Sequence, residues 1–128
     1  MKNSLTHFAL YADDVERAQS FYEKIFDWSF QSYGPAADFK QIKTHDQPDM
    51  PPIGALQHRK YSPLKEKVIG MEGTINVADV DEVTRAVKEG GGTVLMPKTA
   101  IPQVGWLIKF LDTEGNLICA MQHNPSAR

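Results

Sequence analysis

Disulfide bridges are the first feature this chain lacks. Its 128 residues include one cysteine, Cys119, so no intrachain bridge can form, and the composition fits a reducing, cytoplasmic setting. Long apolar runs are missing too. No stretch approaches the roughly 20 apolar residues a membrane helix requires, and the opening MKNSLTHFAL has no run of signal-peptide length. Nor does one sign of charge dominate: the formal net charge is −2. That excludes an electrostatic nucleic-acid binder, which would carry a basic face or stripe. The one basic cluster, His58, Arg59 and Lys60 with Lys65 and Lys67, is interrupted by Glu66. It reads as a solvated loop, with an anion-steering rim as the alternative. Glycine-rich phosphate loops, Ser–His–Asp grammar and Cys-x-x-Cys pairs are all absent.

What is present is enough for one folded domain. Forty-one per cent hydrophobic residues supply a core at this length without covalent staples. Residues 5–11, LTHFALY, alternate as a strand, with Phe8 and Leu10 on one face and His7, Ala9 and Tyr11 on the other. Asp13 or Asp14 then caps a helix over 14–26, where Val15, Ala18, Phe21, Tyr22, Ile25 and Phe26 follow helical spacing. Strands follow at 28–33, 39–43 and 53–57, and a charged linker covers 58–70.

The same grammar then repeats. A strand at 73–77 leads to Asp79, which caps a helix to about residue 88, and Gly90-Gly91-Gly92 ends it. Strands follow at 93–96, 106–111 and 117–122, with Thr113-Glu114-Gly115-Asn116 as the turn before the last. Pro97 is expected to end its strand, leaving 97–102 as a loop able to act as a lid. Residues 123–128 read as a polar tail. The order is βαβββ, linker, βαβββ. Shifted by 66 positions, Tyr11-Ala12-Asp13 lies on Val77-Ala78-Asp79, Glu16 on Glu82 and Glu23 on Glu89, the pattern of an internal duplication. The expected class is α+β: one domain over 1–128, with module 1 at about 4–57 and module 2 at about 71–122. Curved mixed sheets should surround a cleft, with the helices outside.

Four stretches carry a resemblance. His7-x5-Asp13 before a helix bearing Phe21-Tyr22 resembles the opening of vicinal oxygen chelate proteins. This superfamily includes glyoxalase I, extradiol dioxygenases, methylmalonyl-CoA epimerase and the bleomycin and fosfomycin resistance proteins. Val77-Ala78-Asp79-Val80-Asp81 resembles the start of its second module. Glu89-Gly90-Gly91-Gly92-Thr93-Val94 resembles its helix-to-strand connection. Phe110-Leu111-Asp112-Thr113-Glu114-Gly115-Asn116 resembles its DPxGN turn, with Thr113 in place of proline.

The resemblance implies a divalent metal held by ligands from the first and last strands of each module. Carried over residue by residue, those positions give His7, one of Ala55, Leu56 and Gln57, then Gly73, then Cys119, where the family has glutamate. Gly73 has no side chain, and Glu72 is expected to face the other side of its strand. His7 alone is a strong ligand, so the metal site reads as degenerate.

His7 keeps four roles open: a satisfied interior histidine, a ligand contact, a general base or the remnant of a metal site. Cys119 reads first as a small buried hydrophobe. The expected ligand-binding set is His7, Tyr11, Phe39, Gln57, Trp106, Phe110 and Cys119, with His7 as the catalytic candidate. The resemblance implies a homodimer that binds a small organic molecule in the inter-module cleft; the degenerate ligand set leads us to expect no cofactor, and the lone cysteine a cytoplasmic setting. The alternative the resemblance implies is a lyase, isomerase or epimerase acting next to a carbonyl with Ni, Zn, Mn or Fe. Neither reading calls for nucleic acid or a membrane.

Overall fold

The computed structural model describes residues 3–26, 28–46 and 48–128. In chain order the elements are β1 (Leu5–Ala12), α1 (Val15–Phe26), β2 (Ser29–Ser32), β3 (Phe39–Lys43), β4 (Gly54–His58), a 3-10 turn (Arg59–Tyr61), β5 (Met71–Asn76), α2 (Val80–Glu89), β6 (Thr93–Ile101), β7 (Gly105–Leu111) and β8 (Leu117–His123). The class is α+β with mixed sheets. Among the described residues, no helix is long and apolar enough to cross a membrane.

The chain divides into two compact units. One is His7–Met71; the other is Glu72–Arg128 joined by the residues up to Thr6. In the first unit the strand order is β2-β3-β4-β1. β1 runs parallel to β4, and the other neighbours are antiparallel. Asp14 caps α1, its Oδ1 accepting from Arg17 N–H at 3.0 Å. The core under α1 contains Leu10, Ala12, Val15, Ile42 and Leu56, with Phe8, Ala18, Tyr22 and Trp28 packed against it. Only part of the apolar helical stripe is inside: Phe21, Ile25 and Phe26 are each about half exposed.

The second unit repeats this topology in the order β5-β8-β7-β6. β5 is parallel to β8, and the remaining neighbours are antiparallel. Asp79 caps α2 through its side chain, as its position before the apolar spacing predicts. Gln122 on β8 adds a second cap, its Oε1 accepting from Val80 N–H at 3.1 Å. Val77, Val80, Ile108 and Ala120 form the core beneath this helix. The start of the chain adds to β5: Ser4 C=O accepts from Asn76 N–H at 2.8 Å, and Thr6 Oγ1 donates to Thr74 C=O.

Two expectations are corrected here. Pro97 does not end its strand, because β6 runs on to Ile101 and the proposed lid is ladder. β6 lies at the outer edge of the second unit's sheet and its pairing shifts register on both sides of Met96. Such an edge tolerates a residue without an N–H. The tail is also built in. Ala127 is 1 % exposed, and its carbonyl accepts from Gln103 N–H at 3.1 Å.

Candidate functional site

Alternation along a strand decides which side chains meet. In the second unit Thr74 pairs with Cys119, and Cys119 pairs with Lys109. These three, with Glu72 two residues before Thr74, therefore share one sheet face. Ile75, Ala120 and Ile108 form the next rung and face α2. All four polar residues on the first face are buried: Glu72 is 3 % exposed, Thr74 and Lys109 8 %, Cys119 1 %.

The geometry within this group is tight. Lys109 Nζ lies 3.0 Å from Glu72 Oε1. Cys119 Sγ donates to the same oxygen at 2.9 Å. Burial pushes the Cys119 thiol well above its ordinary pKa, the neighbouring Glu72 charge raises it further, and Lys109 only partly opposes them. The sulfur therefore stays a thiol at neutral pH. The thiolate is the form that attacks or ligates, and burial beside Glu72 disfavours it at Cys119.

This overturns one detail of the sequence reading. Glu72, not Gly73, occupies the face of Cys119. A one-residue shift along a strand moves every side chain to the other face, so a misjudged register exchanged the two positions. Gly73 pairs with Ile118 instead, and a Cβ on it would meet Leu5 Cδ1 at 3.1 Å.

In the first unit the predicted residues gather along one rung. Gln57 pairs with Tyr11 on one side and Phe39 on the other. His7 and Ala9 continue that face of β1, opposite the side of Leu10 and Ala12 that packs toward α1. His7 is half-buried and Tyr11 and Gln57 are buried. The Phe39 ring lies 5.6 Å from Tyr33 and 6.0 Å from Tyr61. Trp106 and Phe110 do not join the Cys119 face. Both pack against the core beneath α2, and Lys98 Nζ stands 4.9 Å from the centre of the Trp106 ring.

Among the described residues, no group of three or more His, Cys, Asp or Glu side chains is arranged to hold a metal ion. Glu72 Oε1 already accepts from an ammonium and a thiol. A divalent metal at the carboxylate position that the resemblance expects on the last strand would meet the Cys119 thiol there, and would have to compete with Lys109 for Glu72 Oε1. Sequence reasoning missed Glu72 and Lys109. The signal was a lysine inside the apolar run Trp-Leu-Ile-Lys-Phe-Leu, since a charge in such a strand is seldom buried without a partner.

The basic cluster after β4 is paired rather than loose. Arg59 Nη1 lies 2.8 Å from Asp13 Oδ1, Lys67 Nζ 3.4 Å from Asp13 Oδ2, and Lys60 Nζ 2.6 Å from Asp38 Oδ2. His58 Nδ1 accepts from Lys60 N–H at 3.0 Å, capping the 3-10 turn.

Comparison with known proteins agrees with this architecture. A family model described as the Glyoxalase/Bleomycin resistance protein/Dioxygenase superfamily matches residues 4–120. A "Glyoxylase-like domain-containing protein" of Didymella fabae is 34 % identical over 111 residues, 82 % of each chain. Among solved structures, a glyoxalase/bleomycin resistance protein/dioxygenase superfamily member from Vibrio splendidus matches at a TM-score of 0.62 and 16 % identity, covering 94 % of this chain and 99 % of that one. A variant of Streptomyces coelicolor methylmalonyl-CoA epimerase, in complex with 2-nitronate-propionyl-CoA, matches at 0.62 and 19 % identity with the same coverage. At such identities the two structures show a shared fold. With the family model spanning most of its length and the Didymella relative beside it, this chain belongs to the Glyoxalase/Bleomycin resistance protein/Dioxygenase superfamily.

Proposed function

We propose that this protein binds a small organic molecule and does so without a divalent metal. The observation that supports the reading is the Glu72–Lys109–Cys119 group. Where the family resemblance leads one to expect a metal-binding carboxylate, there is a neutral thiol bonded to a carboxylate that an ammonium already holds. Such a group is fixed and polar within apolar strands, the arrangement that orients a ligand in an otherwise greasy site. His7 is a polar contact in this reading, with a neutral imidazole able to donate or accept.

The test takes purified protein stripped with a chelator and titrates it with Ni²⁺, Zn²⁺, Mn²⁺ and Fe²⁺. No stoichiometric uptake is expected. A thermal-shift screen of flat and aromatic molecules on the same metal-free protein should return a hit whose shift grows with concentration, as mass action requires. Stoichiometric metal that is lost in His7→Ala would overturn the reading. Metal-dependent turnover of a methylglyoxal–thiol adduct, or proton exchange next to a carbonyl, would establish the lyase or epimerase alternative in its place.

A further inference from the structure

The first unit contains a cleft of about 420 Å³ where the end of β1, the first turns of α1 and the segment after β4 meet. Tyr11, Arg17, Phe21, Tyr22, Arg59 and Lys67 line it, together with the carboxylates of Asp13 and Asp14. Three cations face two carboxylates, so the cleft carries one net positive charge. Asp14 is committed to capping α1. Asp13 alone bridges Arg59 and Lys67.

Arg59 is the centre of this arrangement. Its side chain is 23 % exposed, and its Nε is buried and meets no acceptor among the described residues. Asp13 holds Nη1 and so fixes the guanidinium plane beside the cleft. A planar guanidinium matches a carboxylate in particular, and a head group already held in place loses little entropy on binding. Phe21 and Tyr22 supply ring surface beside the cations, edge to face at 5.3 Å, and Phe21 is 57 % exposed. The volume admits a single substituted ring with room to spare.

We propose that this cleft is a binding site for a small aromatic carboxylate. The carboxylate sits against Arg59 and Lys67, and the ring lies against Phe21 and Tyr22. Asp13 is its internal competitor, a carboxylate on the protein that occupies the same two cations when no ligand does. The site is independent of the reading above, which rests on Glu72, Lys109 and Cys119.

The test is a titration of the full chain with benzoate, followed by amide chemical shifts. Benzamide serves as the neutral match for shape, and acetate and inorganic phosphate as anions without a ring. Benzoate is expected to saturate, moving the amides of Ala12, Arg17 and Arg59, and to bind at least tenfold tighter than the other three. Arg59→Gln and Lys67→Gln should each weaken it. Asp13→Asn should tighten it severalfold, a gain that a merely structural role for Asp13 would not give. Lys67 and Asp13 are exposed, so their variants test the site even if Arg59→Gln fails to fold. Equal binding of benzamide or of a ringless anion, or affinity unchanged in both Lys67→Gln and Asp13→Asn, would overturn the proposal.

Discussion

Lys109 Nζ and Glu72 Oε1 stand 3.0 Å apart on strands β7 and β5, with both side chains nearly removed from solvent. A buried pair of this kind gains little over an apolar pair of the same volume. Removing one partner, however, strands a charge in a low-dielectric interior. Lys109→Met is therefore expected to cost roughly 3–5 kcal/mol. Adding Glu72→Gln to that variant should recover much of the loss. Urea unfolding of the two single variants and the double variant closes the cycle, and simple additivity would show that the pair is not coupled.

Cys119 should be chemically quiet in the folded protein. Iodoacetamide at pH 8 is expected to alkylate it at least about 100-fold more slowly in buffer than in denaturing urea, since a buried protonated thiol must wait for the chain to open. The raised thiol pKa also sets a sign for alkaline stability. The folded state keeps its proton where the unfolded state loses it, so this contribution is full below the ordinary thiol value of 9.0. It falls as pH rises beyond that value. Denaturation midpoints between pH 8 and 10.5 should decline in the natural protein and decline less in Cys119→Ala.

The β7–β8 turn gives the opposite pH dependence. Asp112 Oδ1 accepts from the amides of Glu114 and Asn116 at 2.8 and 2.9 Å, and Oδ2 accepts from Asn116 Nδ2 at 2.9 Å. These bonds, the Asn116 side chain first, hold the Asp112 carboxyl below its ordinary value of 3.8. Its contribution is present above that value and is lost as pH falls through the lower folded value. Acid unfolding monitored by circular dichroism should shift to higher pH in Asn116→Ala, whose side chain makes one of those bonds. In the same turn, Gly115 has φ +84°, so Gly115→Ala should cost about 1 kcal/mol through left-handed strain alone.

Phe110 and Trp106 separate packing from recognition. Both pack on the core beneath α2. Phe110→Ala is expected to lower stability by roughly 2 kcal/mol or more through the cavity it leaves. It should leave the affinity for any ligand of the Glu72–Lys109–Cys119 face within about twofold. A large loss of affinity at unchanged melting temperature would return Phe110 to the binding set.

Much of the fold was legible because its signals are local. Alternating apolar residues marked the strands, aspartates marked both helix starts, and the glycines after α2 marked its end. The observed topology, with first strand parallel to last in each unit, matches the doubled βαβββ order read from 128 letters. The site was less legible because faces depend on register. Glu72 and Gly73 are neighbours, and only the pairing of Thr74 with Cys119 says which of them looks toward the sulfur. Pro97 misled for a related reason: whether a strand survives a missing N–H depends on its being at an edge, which its own residues do not record. Phe110 and Trp106 pack on the core beneath α2, off the Cys119 face, and aromatic residues serve cores and pockets alike, so their letters alone do not assign the face.

The parallel pairing of first and last strands has a consequence for how the chain is made. β1 cannot complete its ladder in the first unit until β4 has been synthesised, since Phe8 pairs with Gly54 and Ala12 with His58. Ser4 waits longer still, because its partner Asn76 lies in β5. Contacts that close such long loops slow folding. Strand β1 and the residue before it are thus placed only by chain that follows much later in the sequence, so this segment is among the last to find its partners.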